Sequence, residues 1–220
     1  PSDHIITPSN KFIKYLETLN NYESLDDIIT FGIFTKKAET GFGYIKKAKR
    51  FDENLFHIEK FVEKPNKILA EKFFKDSSYC WNSGMFLFST KVFKNEMKIY
   101  EKEISKNFED FSYLDFFNNF YDIKNISFDY GILEKSKKVK LFPLDINWSD
   151  MGCWDGVYDV LEKDENKNVL IGNVINIDTK NSLIFSQKRL VSTIDLENVL
   201  VVEAEDAIFL AKKGSSQKVK

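Results

Sequence analysis

The sequence predicts an α/β domain on a largely parallel sheet, followed by an all-β extension, either a β-solenoid or a small sheet. Three observations carry this. Up to about residue 163, apolar runs of strand length alternate with stretches of helical spacing. From Asn168 onward the helical spacing stops, and short β-rich runs follow at 169–171, 173–178, 182–186, 190–194, 198–203 and 207–211. Asn and Asp turn residues separate several of these runs, a pattern of regularly spaced short strands that suits a β-solenoid or a small sheet. The polar stretch Glu162-Lys163-Asp164-Glu165-Asn166-Lys167 sets the boundary at residue 164, giving an α/β part over 1–163 and a β-rich part over 164–220.

Each element has a local reason. Phe12, Ile13, Tyr15, Leu16 and Leu19 recur at helical spacing over 9–22. Residues 28–35 are apolar and β-rich, which suits a buried strand. Thr40-Gly41-Phe42-Gly43-Tyr44-Ile45 reads as a glycine turn entering the next strand, and 55–62 as a strand ending at Glu63-Lys64-Pro65. Asn66 can cap a helix running to about residue 75. Residues 81–89 read as a loop feeding a strand over 84–88, 91–105 as a helix, 128–136 as a short helix, 138–143 as a strand and 153–161 as a helix. The aromatic and polar stretch 106–126 yields no element.

A chain of 220 residues can bury a sizeable core, and 43% hydrophobic with 30% charged residues is an ordinary globular balance. A formal net charge of −2 argues against nucleic acid as a partner. Eighteen consecutive apolar residues occur nowhere, so no membrane helix is expected. Cys80 and Cys153 fit no metal spacing and read as reduced cytoplasmic thiols. His4 and His57 support neither a zinc cluster nor a nucleophilic triad. Metal-assisted group transfer is the chemistry left.

Ligands of open α/β sheets collect where strands end and polar residues begin. Asp3, read as lying just past a strand end, is either a carboxylate for a divalent cation or a turn cap. The Gly41 and Gly43 turn either lets backbone approach a ligand or is a plain turn, and no Gly-Lys-Ser/Thr follows to make it a phosphate loop. Lys64 at a strand mouth either meets a phosphate as a point charge or is simply solvated, and Glu63 can accept hydrogen bonds from sugar hydroxyls. Asn82 carries donors and an acceptor that suit a vicinal diol, with Trp81 beneath and Gly84 leaving room; the alternative is a tight turn over a buried Trp. Asp150, before a glycine turn and a helix, is either a second metal carboxylate or a cap. Asp129 and Glu134 lie five apart, off a common helical face, so both reach one ligand only from a short helix seen end-on.

Taken in order, these segments resemble the mannose-1-phosphate guanylyltransferase family, of the bacterial type often fused to mannose-6-phosphate isomerase. The resemblance runs through Pro1-Ser2-Asp3-His4, Phe31-Gly32-Ile33, Glu39-Thr40-Gly41-Phe42-Gly43-Tyr44-Ile45 and Phe61-Val62-Glu63-Lys64-Pro65. It continues through Trp81-Asn82-Ser83-Gly84-Met85-Phe86, Phe128-Asp129-Tyr130 with Glu134-Lys135, and Trp148-Ser149-Asp150-Met151-Gly152-Cys153-Trp154. It implies a Rossmann-like, GT-A-like nucleotidyltransferase sheet with a β-helix-like extension. It further implies Asp3 and Asp150 as Mg²⁺ ligands, and Gly43, Tyr44, Glu63, Asn82 and Asp129 around the mannose, with Gly84 leaving space. Lys64 would bind the sugar phosphate and Glu134 would support the sugar site. The implied reaction joins GTP and mannose 1-phosphate into GDP-mannose and pyrophosphate, with another hexose 1-phosphate or a non-catalytic binding subunit as alternatives. The family's Gly-Gly-x-Gly-x-Arg-Leu-x-Pro signature does not occur, so an internal segment of a longer protein is expected, inactive by itself. An isomerase domain beyond Lys220 and a homodimer through the β-rich tail are further expectations.

Overall fold

The computed structural model describes residues 1, 3–22, 26–109, 113–118 and 120–219. The elements are β1 (Ile5–Thr7), α1 (Ser9–Thr18), β2 (Ile28–Phe34), β3 (Tyr44–Arg50), β4 (Phe56–Val62), α2 (Lys67–Phe74) and β5 (Tyr79–Leu87). Next come α3 (Thr90–Tyr100), α4 (Lys102–Glu109), α5 (Tyr113–Asn118), β6 (Val139–Leu144), β7 (Asn147–Ser149) and α6 (Trp154–Val160). The chain finishes with β8 (Val169–Ile171), β9 (Val174–Ile177), β10 (Leu183–Ser186), β11 (Val191–Ile194), β12 (Val199–Glu203) and β13 (Ile208–Lys212). Among the described residues no helix is long and apolar enough to cross a membrane.

Two compact units result. One is essentially Thr7–Ile146, and the other is Asn147–Lys220 with the short stretch that ends at Ile6. In the first, β2, β5, β3, β4 and β6 close in that order into a small barrel. Its sheet is mixed, which corrects the expectation of a mostly parallel one. β2 and β6 run parallel, while β2–β5, β3–β5, β3–β4 and β4–β6 are antiparallel. The reason is connection length: β3 turns into β4 through a short loop closed by Phe51 N–H donating to the Leu55 carbonyl, too short for a parallel crossover. Ile28, Val92, Met97, Ile104, Ile132, Leu133 and Val139 form one core cluster, and Ile45, Cys80 and Leu141 another.

Two local readings change as well. Trp81, Asn82 and Ser83 sit inside β5, not in a loop before it, and are buried there. The glycine and small polar residues that suggested a loop instead make a bulge. Gly32 pairs with Asn82 but Thr30 pairs with Phe86, so β5 carries extra residues around Gly84, whose φ is 71°. The helix expected over 91–105 is two helices, α3 and α4, broken at Glu101. Asn66 does cap α2, its side chain accepting from Leu69 N–H at 3.0 Å.

In the second unit, β8, β10 and β12 stack in parallel with β13 antiparallel at the end, and β9 pairs in parallel with β11. The coil repeats: Asn181 bonds Asn198 and Thr193 bonds Asn176, each pair 17 residues apart. Asp178, Asn181, Asp195 and Asn198 turn the corners with φ between 51° and 58°, a left-handed conformation that Asn and Asp tolerate best. Tyr158, Val169, Leu183, Leu200 and Val202 form the core, with Trp154, Val157 and Leu161 of α6 and its flank packed on it. That packing draws α6 into the β-rich unit, so the contact division falls at Ile146/Asn147, ahead of residue 164.

Candidate functional site

In the barrel unit the structure gathers Gly43, Glu63, Lys64, Asn82, Asp129 and Glu134. Asn82 Nδ2 donates to Asp129 Oδ1 at 2.9 Å, and Glu134 Oε1 accepts from Glu63 N–H at 3.3 Å. Asp129 and Glu134 meet one site because residues Asp129–Leu133 form a single π-helical turn, with Glu134 N–H donating to the Asp129 carbonyl five residues back. The extra residue per turn supplies the common face that α-helical spacing denies them.

The Asn82 amide is locked in one orientation. Gly84 N–H can only donate and does so to Asn82 Oδ1 at 3.3 Å; the Asp129 carboxylate accepts from Nδ2. Thr30 Oγ1, wholly buried, adds a second donor to Asn82 Oδ1 at 3.1 Å. Sequence reasoning missed Thr30. Its signal was a hydroxyl inside an otherwise apolar strand, Ile28-Ile29-Thr30-Phe31.

Glu63 is the electrostatic centre of this group. Burial pushes its carboxyl above the ordinary value, the Asp129 and Glu134 carboxylates add to that, and Lys64 opposes it. Glu63 Oε1 lies 3.5 Å from Lys64 Nζ, while Oε2 is buried with no hydrogen-bond partner among the described residues. Gly43 makes room for it: a Cβ there would stand 2.4 Å from Glu63 Oε2. Lys64 keeps an exposed side chain and a left-handed backbone, φ 43°, directly before Pro65. Such a conformation in a non-glycine residue marks a place where the fold imposes a position on the side chain.

Tyr44 differs from its neighbours. Its side chain is fully buried against Phe73, and its hydroxyl accepts from Glu39 N–H at 2.8 Å. Its contribution to a ligand would therefore come through backbone. Gly84 is exposed, with nothing among the described residues within 4 Å of a Cβ, so its positive φ is what calls for glycine there.

Asp3 and Asp150 both belong to the second unit. Asp3 precedes β1 instead of following a strand, and Asp150 follows β7, the strand that pairs with β1. His4 lies close enough to feel both carboxylates: burial lowers its pKa, and Asp3 and Asp150 pull it part of the way back. Its Nδ1 accepts from Trp148 Nε1 at 3.1 Å, which leaves Nε2 to carry the proton of a neutral ring. From the sequence His4 was read only as fitting neither a zinc cluster nor a nucleophilic triad; its place beside Asp3 was the clue. Asp150 Oδ1 accepts from Gly152 N–H at 3.0 Å, and a Cβ on Gly152 would stand 2.8 Å from Oδ2. Among the described residues no set of three or more His, Cys, Asp or Glu forms a ready metal cage. Two hard carboxylates without a cage fit a cation that keeps waters and takes further oxygens from substrate phosphates. Cys80 offers no nucleophile, since burial pushes its thiol up to about 11.

The nucleotidyl transferase family model matches residues 1–167, and the mannose-phosphate isomerase/GMP-like β-helix domain matches 172–220. Mannose-1-phosphate guanylyltransferase 2 of Escherichia coli O157:H7 is 34% identical over all of this chain and 49% of its own length. The alginate biosynthesis protein AlgA of Pseudomonas putida is 35% identical over all of this chain and 48% of its own. The chain thus spans about half the length of the curated relatives it matches. Among solved structures, one described as a mannose-1-phosphate geranyltransferase from Thermus thermophilus superposes with a TM-score of 0.88 at 23% identity. That superposition covers 100% of this chain and 66% of the other, and shares the fold. The chain belongs to the nucleotidyl transferase family.

Proposed function

We propose that this chain supplies the sugar-phosphate and metal side of a transferase that moves GMP from GTP to mannose 1-phosphate, giving GDP-mannose and pyrophosphate. The observation that carries the reading is the orphaned acceptor Glu63 Oε2, held beside the locked Asn82–Asp129 pair and next to the exposed ammonium of Lys64. A buried acceptor without a donor wants one from a ligand. Sugar hydroxyls supply donors, and a phosphate on the same molecule pairs with Lys64.

The residues then divide the work. Glu63, Asn82 and Asp129 read hydroxyls, Gly43 leaves room for the Glu63 carboxylate, and Glu134 fixes Glu63 through its backbone. Lys64 orients the attacking phosphate and reduces its repulsion with the nucleotide. In the balanced reaction a phosphate oxygen of the sugar forms a bond to the α-phosphorus of GTP as the bond to the β-phosphate oxygen breaks. The attacking oxygen is already ionised, so no side chain needs to take a proton from it. Asp3 and Asp150 would hold Mg²⁺, which when bound neutralises phosphate charge. Free thiols at Cys80 and Cys153 suit a reducing compartment such as the cytoplasm. The edge strand β13, with Ile208 and Leu210 exposed, is the surface through which a homodimer would form.

The test is pyrophosphate release by the whole protein with Mg²⁺ and GTP, comparing mannose 1-phosphate with glucose 1-phosphate and the parent with Lys64→Ala. Release that requires the mannose ester and falls by about 10²–10³-fold in the variant, the size of losing one charge-stabilising group, is the expected result. Equal release with glucose 1-phosphate would move the reading to another hexose. No release with either ester from a folded whole protein would end the transferase reading.

A further inference from the structure

We propose that Glu101 is a positioning residue for the sugar site, acting through the π-turn that carries Asp129 and Glu134. Its consequence for binding rests on the sugar reading above, but its geometry does not. Glu101 is buried, at the break between α3 and α4, where its N–H donates to the Met97 carbonyl and its own carbonyl accepts from Ser105 N–H. Its carboxylate is shared: Oε1 accepts from Lys135 Nζ and Oε2 from Lys124 Nζ, both at 2.9 Å. Side-chain exposures of 42% for Lys135 and 50% for Lys124 against 6% for Glu101 place the lysines at the surface and the carboxylate beneath it.

The two partners flank the turn. Lys124 precedes it and Lys135 follows it immediately after Glu134, so one buried carboxylate ties down both ends of the segment. Gly131, inside the turn, lies against the same side chain: a Cβ there would be 3.5 Å from Glu101 Cγ. A π-turn is a rare local geometry, and it persists where its surroundings hold it. Burying a carboxylate is costly, and an apolar residue of like volume would serve stability as well or better. What an apolar residue cannot do is fix the ends of the turn in register. That register decides whether Asp129 meets Asn82 and whether Glu134 meets Glu63 N–H.

Glu101→Gln keeps shape and removes the charge. Lys135→Met removes one arm at the surface, where folding is safest, and Lys135→Arg keeps that arm. Two readouts separate positioning from bulk stability. The first is the NMR signal pair of the Asn82 side-chain amide, assigned by its loss in Asn82→Ala, which reports the bond to Asp129 without any ligand. The second is calorimetric binding of mannose 1-phosphate. The expected result is a shifted Asn82 pair and about tenfold weaker binding in Glu101→Gln and Lys135→Met, with Lys135→Arg close to the parent. An unmoved Asn82 pair in both variants, with melting temperature alone reduced, would overturn the proposal. If the parent itself binds no mannose 1-phosphate, the sugar reading fails, and the Asn82 pair by itself upholds or overturns the positioning role.

Discussion

The two halves of this chain are built by opposite rules. The β-rich unit repeats: corners fall on Asp and Asn at equivalent places, Leu183 stacks on Leu200, and two side-chain bonds, Asn181 to Asn198 and Thr193 to Asn176, span the same 17 residues. The barrel unit holds its chemistry in exceptions. Its candidate site uses a π-turn, a bulge in β5, a left-handed lysine before proline and a buried carboxylate oxygen with no partner among the described residues. Regularity distributes stability over many equivalent contacts, whereas each exception fixes one side chain and costs free energy to keep.

Substitutions can test that contrast. Leu183→Ala empties a fully buried place in the β-helix core, and a loss of about 2–5 kcal/mol in denaturant unfolding is expected. A loss no larger than at an exposed position would mean that the repeat is held by something other than its core. Gly43→Ala should do the reverse, because its new Cβ meets Glu63 Oε2 and must displace it. Calorimetry should show mannose 1-phosphate binding weakened by about 10–100-fold, the size of losing a hydrogen bond to a charged group, with little change in melting. Unchanged affinity would remove Glu63 from the site.

Asn198→Ala loses both a left-handed corner and the bond to Asn181, and should cost about 1–2 kcal/mol of stability, with Asn198→Gly costing less. Equal costs for the two would show that the ladder, not the corner, matters. Glu63→Gln should stabilise slightly. The folded state holds the Glu63 proton to higher pH than an unfolded chain does, so its ionised form costs stability as pH rises through that raised value. The variant's advantage, below about 1 kcal/mol after solvent screening, should appear at neutral pH and disappear as pH falls below the ordinary glutamate range. A variant less stable than the parent at neutral pH would reverse the assigned sign.

The same contrast explains what could be read from residues alone. In the tail every strand was legible to within a residue or so, since each is announced by its own β-branched run and its own Asn or Asp. In the barrel unit most strand limits were legible too, yet their pairing was not. That β2 lies parallel to β6 on one side and antiparallel to β5 on the other depends on partners distant in sequence. The Trp81–Gly84 stretch looked like a loop because a bulge uses the same small residues as a turn. Asp129 and Glu134 looked mismatched because the bond between residues five apart that makes a π-turn has no distinct sequence pattern. Thr30 and His4 were visible as residues, but their roles come from neighbours 52 and 144 positions away.

With bonded pairs 17 residues apart, a whole coil is the unit in which the coiled half can lengthen or shorten. Inserting one copy leaves every corner and every inward side chain in phase. Inserting a single residue would rotate all later strands to the wrong face. Relatives of this chain should therefore differ in this half by complete coils or at loop tips, and a lineage could change its reach without ever altering the residues that read a sugar.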